Sequence, residues 1–366
     1  MPLIDPNAMI ENRVQALRLF HNQEGILRAE LDVSGGIDSL VMACLLVLAL
    51  GPENVILVHS RINTNREQTK RAMALAEALG VPLNNGNFEP TYDAMVRAMY
   101  DAIERAYGSK VLDEVMTRCQ EDPTILGSIR STLRAPIGRG FNRMMAGGLR
   151  HGTGNECEDR YLRFFQKGGD GEVDSNPLAM LSKAEVYQMA YTLGHGPWGL
   201  EEAWPVIRAT IEAVPSPDLW GNGDGHTDEA ELLAWTGAPF TYGRIDPDSG
   251  EVTRIGTIEM VSRFIDGGAW GKFLFCDELT DSELQVICDV AISNRTVFFP
   301  GIKPEAIEKL IRAARWAESK TRHKENPRIE TLGTRKSIFD GPSSRLVPAP
   351  LSNDLSLYAA FNEGTR

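Results

Sequence analysis

The chain has 366 residues, 42% of them hydrophobic and 24% charged, with a formal net charge of −12. This is ordinary for a globular protein of one large domain with additions, or of two domains. The acidic balance argues against a nucleic-acid-binding surface. The longest apolar run, Leu40–Leu50, is too short to cross a bilayer and reads as a buried helix. Five cysteines (Cys44, Cys119, Cys157, Cys276, Cys288) form no CxxC pair, which points to reduced thiols and no zinc site. No basic region followed by an apolar core opens the chain, so no signal peptide is expected, and a cytoplasmic location is.

In chain order, residues 8–30 read as an amphipathic helix with Val14, Leu17 and Phe20 on helical spacing. A strand near 29–33, a glycine turn and a helix through Leu50 follow. Gly51-Pro52 ends that helix, and Val55–Val58 is an apolar strand. Residues 66–79 repeat the helical spacing. This βαβα alternation predicts an α/β fold, a doubly wound parallel sheet whose ligands bind beyond the carboxyl ends of its strands. Residues 91–122 read as helical, and 129–148 as a helix broken at Pro136. Ser182 and Glu185 form a capping-box pattern at the start of another helix. Residues 221–225 suggest a glycine-rich loop, 240–255 a hairpin around Asp246–Gly250, and 304–320 a helix. The resulting organisation is a core over 1–233, an inserted hairpin and helix region over 234–300, a helix returning to the core over 301–330, and an extended tail over 331–366.

Residues 33–39, Val-Ser-Gly-Gly-Ile-Asp-Ser, sit at the first strand-to-helix junction. Gly35 and Gly36 let the backbone approach a phosphate, and the helix that begins near Ile37 points unpaired N–H groups at it. Ser34 and Ser39 add hydroxyls, and Asp38 adds a hard oxygen for magnesium. The lysine of kinase and GTPase loops is missing. An acidic chain that binds a nucleotide here must gather its cations locally.

The second dense region runs Gly152-Thr153-Gly-Asn-Glu-Cys-Glu158, then Phe164-Phe165-Gln-Lys167-Gly-Gly-Asp170-Gly-Glu-Val-Asp174, then Pro177-Leu178 and Leu181-Ser-Lys183. Val214-Pro-Ser216-Pro-Asp-Leu219, Thr227-Asp-Glu-Ala-Glu-Leu232 and His323-Lys324 follow. Individually these are ordinary turn residues, solvated charges or helix ends. In this order and together with the 33–39 loop, they resemble the ammonia-dependent NAD synthetases, ATP pyrophosphatases with an SGGxDS loop. The resemblance spans about 33–233 plus the late His-Lys pair.

The resemblance implies the adenine nucleotide alpha-hydrolase type of fold, ATP and Mg2+ as cofactors, and deamido-NAD and ammonia as substrates. By it, Asp38 and Glu158 are magnesium ligands. Residues Val33 to Ser39, Lys183 and Ser216 contact ATP, while Arg134, Thr153, Lys167, Asp174, His323 and Lys324 contact deamido-NAD. Asp170 is a further catalytic candidate. It also implies a homodimer, because the family places its dinucleotide site across a subunit interface. Only 32 residues precede Val33, so any use of glutamine is expected to need a separate ammonia-donating amidotransferase. The chain departs from the family in three places. Ser131–Pro136 replaces a helix carrying two arginines and keeps only Arg134, Arg163 stands where the family has glycine, and residues 235–300 are longer than usual. A ligase acting on another carboxylate, and a nucleotide-binding module without turnover, are therefore the alternatives. The 222–231 stretch fails the spacing of a calcium loop.

Overall fold

The computed structural model describes residues 4–216, 227–267, 279–321, 324, 330–331 and 347–348. His323, the 217–219 part of the Val214–Leu219 motif, the 221–225 loop, Cys276 and most of the tail lie outside them. Helix α1 (Pro6–Glu24) starts where the Asp5 carboxylate accepts from the Ala8 N–H at 3.1 Å. It stops at Gly25, whose φ of 67° suits a left-handed cap, so the helix expected to reach residue 30 is shorter. That early stop frees Ala29–Asp32 to form β1.

Helix α2 (Ile37–Leu50), β2 (Val55–Arg61), α3 (Arg66–Ala78) and β3 (Leu83–Asn87) continue the alternation. The region read as helical over 91–122 is so, as two helices, α4 (Glu89–Tyr107) and α5 (Ser109–Glu121), divided by Gly108 at φ 84°. Helix α6 (Thr124–Met144) runs through Pro136 without the expected break. Pro136 and Thr132, whose carbonyl loses its helical partner, are both exposed, so water can meet that carbonyl and the helix continues. Strand β4 (Leu149–His151), the short α7 (Glu156–Asp159), α8 (Lys183–His195) and α9 (Trp204–Glu212) complete the half of the molecule built on the sheet.

The sheet is parallel throughout, in the order β3-β2-β1-β4, with Leu31 paired to Leu57 on one side and to His151 on the other. From β1 the chain goes to β2 and β3, then returns to β1's opposite edge for β4. The direction of winding therefore switches between β1 and β4, where a crevice opens beyond the strand ends. Ala29 and Leu31 face a core built with α1, α2, α8 and α9, in which Leu40–Leu46 of α2 are buried on every side. Because strand side chains alternate, Glu30 points to the other face. There Arg150 donates to both of its carboxylate oxygens at 3.0 and 2.9 Å.

A second core follows, formed by α10 (Asp228–Thr236), the hairpin β5 (Arg244–Ile245) and β6 (Val252–Arg254), α11 (Thr257–Gly267), α12 (Asp281–Ser293), α13 (Arg295–Phe298) and α14 (Pro304–Thr321). Phe240, Tyr242, Phe264, Phe299 and Leu310 fill it, and Cys157, Tyr161 and Leu162 join it from just after α7 begins. The four described cysteines (Cys44, Cys119, Cys157, Cys288) are buried free thiols, and no described helix is long and apolar enough to cross a membrane.

Candidate active site

Beyond β1 the backbone turns sharply. Val33 still donates to the Val58 carbonyl at 2.7 Å, and then Gly35 takes φ 83°. A Cβ at Gly35 would lie 2.2 Å from the Gln68 carbonyl oxygen, so glycine is required for both space and conformation. Gly36 precedes α2 with no side chain to cap it, which leaves first-turn N–H groups open to an anion. Ser34 and Ser39 brace the loop. Their hydroxyls lie 3.1 Å apart, and Ser39 Oγ donates to the Gly36 carbonyl at 3.0 Å. From α3, Arg71 Nε donates to the Gly35 carbonyl at 2.8 Å. Sequence reasoning missed Arg71, because nothing in the 66–79 helical pattern singles out one arginine.

Across the crevice, the capping box at Ser182 and Glu185 starts α8 and puts Lys183 in its first turn. Lys183 is 2% exposed, not the surface lysine its helix pattern would suggest. Its Nζ donates to Asp38 Oδ2 at 2.6 Å and to Glu158 Oε1 at 2.9 Å. Burial pushes the ammonium's pKa down, but the Asp38 and Glu158 carboxylates outweigh it and hold the value well above normal, so Lys183 stays charged. Burial, only partly offset by Lys183, raises the Glu158 carboxyl above its ordinary range. Asn155 caps α7 and also donates from Nδ2 to Asp38 Oδ1 at 3.0 Å, a second contact the sequence did not reveal. Asp228, buried at the start of α10, completes the acidic group, and burial pushes its pKa up to about 7 against the pull of Lys183.

A cavity of about 860 Å³ opens between these groups. Of the sequence-predicted residues, Val33, Ser34, Gly36, Ile37, Asp38, Arg134, Thr153, Glu158, Asp170, Lys183, Ser216 and Lys324 line it. Gly35 and Ser39 shape the loop without lining it. Asp170 accepts from Ser131 Oγ at 3.1 Å and from the Gln166 N–H at 2.8 Å. Lys324 donates to the Arg163 and Phe165 carbonyls at 3.1 and 2.8 Å. Two residues stand apart from the wall: Lys167 is exposed, and Asp174 is gripped by both terminal nitrogens of Arg139 at 3.0 Å and by the Arg150 N–H at 2.7 Å. The Phe164-Phe165 pair lines the cavity, and Phe164 also packs against the second core. Phe164 lies 6.0 Å from Trp235 between ring centroids, tilted by 32°.

Residues 9–247 match the family model described as NAD synthase, which is well over half of the chain. The chain belongs to the NAD synthase family. The NH(3)-dependent NAD(+) synthetase of Methanococcoides burtonii is 33% identical over 209 residues, 57% of this chain and 67% of that protein. The enzyme of the same name from Trichlorobacter lovleyi is 32% identical over 223 residues, 61% of this chain and 67% of the relative. Among solved structures, NMN synthetase from Francisella tularensis superposes with a TM-score of 0.57 at 19% identity, covering 88% of this chain and 97% of that one. That likeness speaks to the fold. The family match ends inside the β5–β6 hairpin, so α11 to α14 lie beyond it.

Proposed function

We propose that this member of the NAD synthase family is an ammonia-dependent NAD synthetase, a carbon–nitrogen ligase that consumes ATP. A nicotinate carboxylate oxygen of deamido-NAD attacks the α-phosphorus of ATP, the bond from that phosphorus to the bridging oxygen breaks, and pyrophosphate leaves. Ammonia then attacks the acyl carbon, AMP departs with the former carboxylate oxygen, and NAD remains. The single observation that carries this reading is the buried Lys183 ammonium bridging Asp38 and Glu158 beside the 34–39 loop. Negative charge grows on the departing pyrophosphate, so fixed donors and cations stabilise the transition state more than the ground state. The loop's N–H groups and Lys183 supply them.

The residues fit a hard divalent cation. Asp38 and Glu158 lie close together on the cavity wall, both reaching the Lys183 ammonium, and Mg2+ is commonly held by one or two carboxylates with substrate phosphates and water completing its shell. Asp38 and Glu158 would hold it, and it would neutralise phosphate charge there. Ser60 Oγ, buried at the end of β2 on the cavity wall with no hydrogen-bond partner among the described residues, suits a nucleobase at that end. Arg134, Thr153 and Lys324 also line the cavity and are candidates for the dinucleotide, with His323 beside Lys324 in sequence.

A homodimer accounts for Lys167 and Asp174, which would meet a dinucleotide reaching across a subunit boundary. The α4–α5 hairpin supports this, since Met99, Tyr107 and Met116 expose apolar surface on it. We further propose free ammonia as the direct nitrogen source, with a separate amidotransferase where glutamine is used, and a cytoplasmic location. The second reading, a different carboxylate substrate, is favoured by one feature. Arg163 adopts a left-handed φ of 47° and lies buried 3.9 Å from Glu318 of α14, tying the cavity wall to helices beyond the family match. Production of NAD and AMP from deamido-NAD, ATP, magnesium and ammonium tests the primary reading. ATP cleavage that occurs only with another acid would establish the second.

A further inference from the structure

The segment between α10 and α11 delivers one side chain to the underside of the active site. Tyr242 is fully buried, and the Lys183 ammonium sits 5.2 Å from its ring centroid. The Tyr242 backbone is held from two directions: its N–H donates to Glu229 of α10 at 3.1 Å, and its carbonyl accepts from Arg254 of β6 at 2.9 Å. Glu229 and Arg254 also pair with each other and close the bracket. The next residue, Gly243, has no room for a Cβ, which would lie 2.6 Å from both the Ala184 methyl and a Glu259 carboxylate oxygen. Glu259 of α11 accepts from the Ala184 N–H at 2.8 Å and from the Gly256 N–H at 2.8 Å. The start of α8 is thus clasped by the C-terminal helical core.

We infer that Tyr242 is a positioning residue for Lys183, its ring backing the ammonium so that it faces Asp38, Glu158 and the cavity. The inference rests on the proposed role of Lys183 at the ATP phosphates. A lysine carries a long flexible stem, and the capping of α8 fixes only its backbone. Asp38 and Glu158 bind the ammonium, and the electron-rich face of the Tyr242 ring, 5.2 Å from it, attracts it as well. The Tyr242 hydroxyl is buried without a hydrogen-bond partner among the described residues, an arrangement that costs stability. The ring face, then, and not the hydroxyl, is what the site uses.

The test compares wild type with Tyr242→Met, which keeps most of the volume but removes the π face, and Tyr242→Phe, which keeps the face. Binding of a non-hydrolysable ATP analogue with magnesium is measured by calorimetry, alongside kcat, KM and Tm. Tyr242→Met is expected to weaken analogue binding and lower kcat/KM by about 10-fold, the scale of a desolvated cation–π contact. Tyr242→Phe should match wild type in both and melt at an equal or higher temperature. In a Lys183→Met background, Tyr242→Met should cause no further loss of affinity, since the coupling runs through the ammonium. Unchanged affinity and kcat/KM in Tyr242→Met, or an equal loss with and without Lys183, would overturn the inference. If Tyr242→Met does not fold, Tyr242→Leu takes its place. The calorimetric readout needs no carboxylate substrate, so a wrong assignment of deamido-NAD would leave this comparison intact.

Discussion

Asp38 has two neighbours that matter at once, the Lys183 ammonium at 2.6 Å and the Asn155 amide at 3.0 Å. Asp38→Asn keeps the shape but removes the charge, so pyrophosphate release should fall by about 100-fold or more. Tm should stay within a few degrees of wild type, because Asp38 lies at the edge of the cavity rather than in the core. Full retained activity in a pyrophosphate-release assay would refute its role. A second residue-scale prediction concerns two histidines behind the site. His21 Nδ1 lies 2.7 Å from the Ile26 carbonyl and must donate to it. With both rings neutral, His21 Nε2 accepts from His151 Nε2 at 3.0 Å, and Ser175 Oγ donates to His151 Nδ1 at 2.7 Å. That arrangement satisfies all four ring nitrogens without a charge on either ring. Burial lowers both pKa values, His151 well below 6.5. The unfolded chain therefore binds protons first as pH falls through 6.5, and stability is lost below that pH. The loss is up to about 1.4 kcal/mol per histidine at pH 5.5, one unit below the unfolded value. Urea unfolding at pH 7.5 and 5.5 checks it, and a midpoint that does not move would contradict the neutral pair.

At the scale of elements, α6 and β4 meet through a vacancy in a side chain. A Cβ on Gly138 would lie 1.7 Å from Arg150 Nη1 and 3.0 Å from Glu30 Oε1. Gly138→Ala should dislodge Arg150 from the buried Glu30 and from Asp32. Uncompensated buried charge of this kind costs about 3–5 kcal/mol, measurable as a lower urea midpoint. The sequence made the phosphate loop, the capping box at Ser182 and the hairpin at Asp246–Gly250 legible because each is local chemistry. It did not reveal that α6 tolerates Pro136, which depends on which side of the helix meets water. Nor did it place Asn155, Arg71 or Tyr242. Their roles arise from pairings across 117, 36 and 59 residues of chain, and no spacing rule spans such gaps.

For the whole molecule, a chain of net charge −12 nonetheless lines one cavity with Arg71, Arg134, Arg150, Lys183, Lys320 and Lys324. Eight carboxylates, Asp38, Glu158 and Asp228 among them, line the same cavity, so it offers a polyphosphate both direct cationic partners and a place for the divalent ion that would accompany it. The same scale governs assembly. Met99 and Met116 are exposed on the α4–α5 hairpin, and glutamate at both should shift the light-scattering mass from dimer to monomer. A wild-type mass equal to one chain would contradict the proposed dimer. The most direct measurement of the central claim is product analysis after mixing the protein with deamido-NAD, ATP, magnesium and ammonium. NAD, AMP and pyrophosphate in equal amounts are expected. Pyrophosphate formed only with some other acid, or no ATP cleavage with any acid, would contradict the assignment.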